Sequence, residues 1–274
     1  MDGAFDAAAR GVQGERGFLG VCALLFAAGV AATIASCASM SAMEGMAMPG
    51  GWTLSMAWMR MPGQAWPEIA ASLLGMWLAM MVAMMVAMML PSLVPMLQRY
   101  RQAVGVAGPS RLGWLTALAG AGYFFVWTAV GAAVLPLGCL LAQAELRMPA
   151  WARAVPVLAG AAVLLAGALQ LSAWKVRRLA CCRAMPAPGR ELPAAAGVAW
   201  RQGMRLGIHC SACCSPLMAI LLAAGLMDLR AMAAVTCAIT AERLMLAGET
   251  VAQAIGAVAV AAGALLIMQA IALQ

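Results

Sequence analysis

The run His209-Cys210-Ser211-Ala212-Cys213-Cys214 places three thiols and the chain's single histidine within six residues. On a helix, Cys210 and Cys214 stand one turn apart and Cys213 is close to both, so the three sulfurs share a face. Thiolates grouped in this way hold soft or borderline metal ions, and His209 adds an imidazole beside them. A second pair, Cys181-Cys182, lies upstream in a basic segment. Cys182 reads as a further donor, with Cys181 next to it. Two other readings stay open: a redox CxxC, and a chance spacing in a bundle that tolerates cysteine.

A different sulfur chemistry occupies GMWLAMMVAMMVAMMLPSLVPM, residues 75–96. At 3.6 residues per turn, Met76, Met80, Met84 and Met88 fall near one helical line, and Met81, Met85 and Met89 run beside it. Methionine is a flexible filler of helix contacts. Its thioether is also a soft, neutral ligand suited to Cu(I). Pro91 and Pro95 each remove a backbone donor, which predicts a kinked or partly unwound end to this helix. Upstream, Met40, Met43, Met46 and Met48 give an MxxMxxMxM spacing around Glu44 that would wrap a soft cation.

Other polar residues sit in apolar surroundings. Glu242 and Arg243 are intramembrane or interfacial charges, which usually face a partner or a cavity. Lys175 or Arg205 would pair with Glu242, the alternative being plain interfacial exposure. Cys37 and Cys139 fall near the same ends of their helices, where a disulfide is possible if their Cα atoms approach within about 7 Å. Cys22 and Cys237 read as packing, and Thr236, Cys237 and Thr240 form a small polar edge. Walker A, Rossmann, GxSxG and HExxH patterns are absent, and a single histidine excludes bis-histidine haem ligation. No haem or nucleotide cofactor is expected, no nucleic-acid partner, and no catalytic residue presents itself; the balance leans away from an enzyme.

The elements that position these groups are membrane helices. Apolar residues make up 65% of the 274 and charged residues 10%. Apolar runs of about 20 residues match a hydrocarbon core of about 30 Å, and little of the chain has strand periodicity. The expected fold is an all-α polytopic transmembrane bundle forming one integral membrane domain over 1–274. About seven helices are expected (six possible), at 17–37, 69–97, 112–137, 152–174, 208–226, 231–247 and 251–271. Two connections are long: the Met-rich 38–68 and the basic, Cys-containing 175–207. In the latter, PAPGRELP is a turn cluster, and Pro193 is placed to start a helix through Trp200, Arg201 and Arg205 into the fifth span.

With a cytoplasmic N-terminus, thirteen of the seventeen lysines and arginines fall on the inner side, as the positive-inside rule requires. Only Arg60, Arg147, Arg153 and Arg230 fall outside. Trp66, Trp114, Trp151 and Trp174 mark span ends. The expected location is a bacterial inner membrane, N-terminus in and C-terminus out, with 38–68 outside and 175–207 inside. Ile34-Ala35-Ser36-Cys37 resembles a lipoprotein cleavage box, yet the long mixed-charge segment before it suits an uncleaved anchor.

In order along the chain, the MMLPS-containing helix, Lys175 to Cys182-Arg183, GMRLGIHCSACCSPLM and Glu242-Arg243 together resemble a bacterial family of predicted metal-binding integral membrane proteins with no established reaction. The resemblance spans roughly residues 70–247. The chain departs from it at Arg178, where the family tends to carry another cysteine, and at Ala212 and Ser215, where glycine and tryptophan are usual. The resemblance implies metal binding. Thioethers outside and thiols inside then point to Cu(I), carried across the bilayer or delivered to a membrane cuproenzyme. The lipid bilayer and a cuproenzyme or copper chaperone are the expected partners. A membrane thiol-disulfide oxidoreductase and a structural subunit of a larger complex are the alternatives.

Overall fold

In hydrocarbon every backbone N–H and C=O must find its partner within the protein, so long apolar runs become helices. The computed structural model describes residues 2–41, 46–48, 52–54, 66–105, 108–185, 191–226 and 228–272. Eight helices carry almost all of them: α1 Asp2–Ser41, α2 Trp66–Val104, α3 Pro109–Arg147, α4 Pro149–Gln170, α5 Ala173–Arg183, α6 Ala196–Ala224, α7 Leu229–Leu244 and α8 Gly248–Ala272. A small antiparallel hairpin, β1 Met46–Met48 and β2 Trp52–Leu54, pairs Met48 with Trp52. The all-α bundle expected from composition is the fold.

Six helices (α1, α2, α3, α4, α6 and α8) contain segments long and apolar enough to cross a membrane. The predicted span at 231–247 is the exception. It is α7, only 16 residues, about 24 Å at 1.5 Å per residue against a core of about 30 Å. It still runs back along the bundle. Asp228 caps its start just beyond α6, accepting from the backbone N–H of Arg230 at 2.8 Å, and its far end lies against α5 through Glu242 and Lys175.

Helix directions follow from the close approaches. Gly29 of α1 lies at Ala83 and Ala87 of α2, while Gly14 lies near Arg101, so these two are antiparallel. Ala119 of α3 meets Gly203 of α6, and Val126 meets Gly207, so this pair is parallel. α4 and α8 run antiparallel, Gly160 at Gly263 and Gly167 at Gly256. Here the glycines are required. A Cβ on Gly167 would stand 2.7 Å from Val260 N, and one on Gly263 2.5 Å from Leu164 N. Because lipid tails are as apolar as leucine, dispersion between closely approaching backbones holds such a pair.

α2 is the central post, packed by α1, α3 and α7. It stays helical through Pro91 and Pro95, so of the kink or partial unwinding expected there, the unwinding does not occur. Near Pro91, Ser92 Oγ donates to Met89 O at 3.0 Å. The hairpin was not foreseen. It seats Met48 against Ala142 and Ala152, and Trp52 Nε1 donates to Ala152 O at 2.9 Å. Cys37 is an unbridged, buried thiol, so the disulfide considered with Cys139 is not formed. Trp114, Trp151 and Trp174 are exposed at or near helix ends, as interfacial residues should be. Cys22 is buried as packing, whereas Cys237 is exposed. Of its threonine neighbours, Thr236 donates to Met232 O, and the buried Thr240 hydroxyl has no hydrogen-bond partner.

Candidate metal centre

Three short sequence devices aim the site. Ser172 caps α5 by accepting from the Lys175 N–H at 3.4 Å. From there helical periodicity turns Lys175, Leu179 and Cys182 to the buried face. In α6, the same periodicity buries Leu206, Cys210, Cys213, Cys214 and Leu217. Pro216 cannot donate to Ala212 O, and Ser215 Oγ donates to it instead at 3.0 Å. α7 buries Ile239, Glu242 and Arg243 at its end.

These faces bring Cys182, Cys210, Cys213 and Cys214 together, each 1% exposed or less. Cys213 lies beside Cys182 and Cys214, and Cys214 beside Cys210. The Tyr123 hydroxyl of α3 and Cys210 Sγ form a hydrogen bond of 2.8 Å. Arg243 reaches in from α7. Its Nη2 donates to Cys182 Sγ at 3.1 Å and lies 3.5 Å from Cys214 Sγ, while Nη1 donates to Ser92 Oγ at 3.2 Å. In α5, the hydrogen bond to Cys213 and then burial hold the Cys182 proton above the ordinary thiol range, with Arg243 pulling the other way.

Beside the thiols lies a buried polar chain. Lys175 Nζ donates to Glu242 Oε2 at 2.6 Å and to Cys213 O at 2.9 Å. Gln170 Nε2 donates to Glu242 Oε1 at 2.5 Å. Lys175 and Glu242 are essentially unexposed. Glu242 therefore pairs with Lys175; Arg205 is exposed. The charges do not cancel. Glu242 balances Lys175, and among the described residues no carboxylate answers Arg243, whose partners are two sulfurs and a hydroxyl. A buried cation without a counter-charge is costly. The groups set against it are thiols, which supply a negative charge only on losing their protons.

The other candidate donors are dispersed. Cys181 is exposed. His209 is half-buried, its Nδ1 without a hydrogen-bond partner, and it stays outside the thiol hydrogen bonds. Met81, Met84, Met85, Met88 and Met89 are buried in the same core as the thiols, with Met80 partly buried against it. Met46 is exposed and Met48 is packed beneath the hairpin. Met43 and the side chains of Met40 and Met76 lie outside the described residues. Among the described residues, no three cysteine, histidine or carboxylate side chains already form a cage for a metal ion; the thiols face one another pairwise.

Tyr123, Gln170 and Ser92 were not singled out from sequence. Gln170 carried a signal, being an amide in an otherwise apolar stretch; Tyr123 and Ser92 are brought in by helix packing alone.

Residues 74–266 match the copper chaperone family PpoB2. The chain belongs to this family. The copper chaperone match begins within α2 and ends within α8, so it takes in the buried thiols, Arg243 and the methionine ladder from Met76 onward. It leaves out α1 and the Met40–Met48 segment. No curated protein and no solved structure matches the chain.

Proposed function

We propose that the protein holds Cu(I) as cargo on Cys210, Cys213, Cys214 and Cys182 within the membrane bundle, and hands it to a transporter or cuproenzyme partner. The observation that carries this reading is the buried Arg243 guanidinium set against sulfur instead of carboxylate. A Cu(I) ion on thiolates, once the thiol protons have left, is a net anion that suits this cation. A structural Zn(II) site asks for a four-donor tetrahedral cage. Thiolates and thioethers suit Cu(I), which accepts fewer donors. The buried methionines of α2 extend the soft-donor environment along the bundle and supply a path for the ion. His209 and Cys181 stand outside this set. A dithiol oxidoreductase is less well supported, since the buried thiols offer no exposed sulfur for exchange.

Metal analysis of the protein purified anaerobically under reducing conditions tests the reading. Copper should be present, and Cys210→Ser with Cys214→Ser should remove most of it. Unchanged copper in that double variant would refute the assignment.

A further inference from the structure

Between α1, α2 and α3 lies a cavity of about 860 Å³, and its lining includes none of the four clustered thiols. Its described walls are mainly apolar, with leucines, alanines, glycines, Phe18 and Phe124, and the one charged residue among the described lining is Arg101. The Thr116 hydroxyl in the wall already donates to Leu112 O at 2.7 Å. Arg101 is half-buried, donates to Gly14 O at 3.3 Å and lies 4.8 Å over the Phe18 ring. Those contacts use little of a guanidinium's five donors.

The glycines here differ from those in the α4–α8 contact. A Cβ on Gly17, Gly113 or Gly120 would meet nothing within 4 Å, so helix packing does not require them. Each costs a helix interior about 1 kcal/mol relative to alanine. What they achieve is empty space with an arginine in its wall. Arg16, Arg99 and Arg111 are exposed on the same helix ends, and the carboxylate beside them, Glu15, accepts from Gln98. The interior is apolar, and among the described side chains at this end the charge is mainly positive.

We infer that this cavity binds an anionic phospholipid, with an acyl chain between the three helices and the phosphate on Arg101. A basic pocket between membrane helices is the setting in which such headgroups are recognised. The site is separate from the metal centre and independent of it.

Native mass spectrometry of the full chain, titrated with phosphatidylglycerol and with phosphatidylcholine as control, tests the assignment. The wild type should retain phosphatidylglycerol in preference to phosphatidylcholine. Gly113→Leu with Gly120→Leu fills the cavity without backbone collision and should abolish that retention, while a melt confirms that the variant is folded. Arg101→Gln should weaken phosphatidylglycerol binding by about tenfold or more, the worth of one charge-assisted hydrogen bond, and leave phosphatidylcholine binding unchanged. Equal binding of the two lipids by the wild type would overturn the proposal. So would unchanged retention in the filled variant, or a neutral quinone found in place of the phospholipid.

Discussion

Arg243 joins four helices through its contacts with Ser92, Cys182 and Cys214. If it is the counter-ion of a thiolate–copper complex, Arg243→Gln should lower copper affinity by about ten- to a hundredfold, the range expected when hydrogen bonds to charged groups are lost. Arg243→Lys should recover part of it, because the charge returns without the fork. Competition with a Cu(I)-specific chelator measures both; equal affinities in all three proteins would remove Arg243 from the site. Its neighbour acts differently. Glu242 is paired to a lysine with no exposed surface, so Glu242→Gln strands a buried cation and should cost about 3–5 kcal/mol. Adding Lys175→Met removes the stranded charge and should restore much of the melting temperature. A double variant no more stable than the single one would contradict this account.

α2 raises the question of whether its sulfurs are ligands or filler. Met84 and Met88 are 2% exposed, so both are tightly packed. Packing alone therefore accounts for their burial, and only function separates the readings. Leucine has nearly the same volume, and such swaps cost less than about 1.5 kcal/mol each. Met80, Met84 and Met88 changed together to leucine should leave a folded protein that keeps copper on the cysteines. That protein should fail to pass copper on, as read by copper loading of an acceptor in reconstituted vesicles. Full transfer by the triple variant would reduce the ladder to packing.

For the molecule as a whole, the helix directions put the start of α1 and the end of α8 at opposite ends of the bundle, with α7 as a short return between α6 and α8. The arginine-rich end, holding α5, should face the cytoplasm by the positive-inside rule. Thr53 in the hairpin and Glu191 ahead of α6 are exposed positions toward opposite ends. Single cysteines there, in a background lacking Cys181 and Cys237, should react with a membrane-impermeant maleimide from opposite sides, Thr53→Cys from outside. Labelling of both from one side would mean that α2, α3 and α4 do not make three crossings between them. The reverse sidedness would invert the placement of the methionine and thiol ends.

Apolar run length alone determined that this chain is a helical membrane bundle, because hydrocarbon leaves the backbone almost no alternative. Helical spacing likewise put Cys210, Cys213 and Cys214 on one face, since an i, i+3, i+4 relation is local. What lies opposite that face is not local. Tertiary packing decided that Cys182 joins the thiols while adjacent Cys181 points away, and that His209 stays outside them. It also decided that Lys175, not Arg205, meets Glu242, and that Arg243 answers sulfur. The small hairpin was hidden for a related reason: it leaves no long periodic signal and is held by contacts with distant helices, whereas the shortness of α7 was legible in the short apolar run at 231–247. Periodicity states which way a side chain points along its own helix, and only the close approach of other helices sets what it meets there.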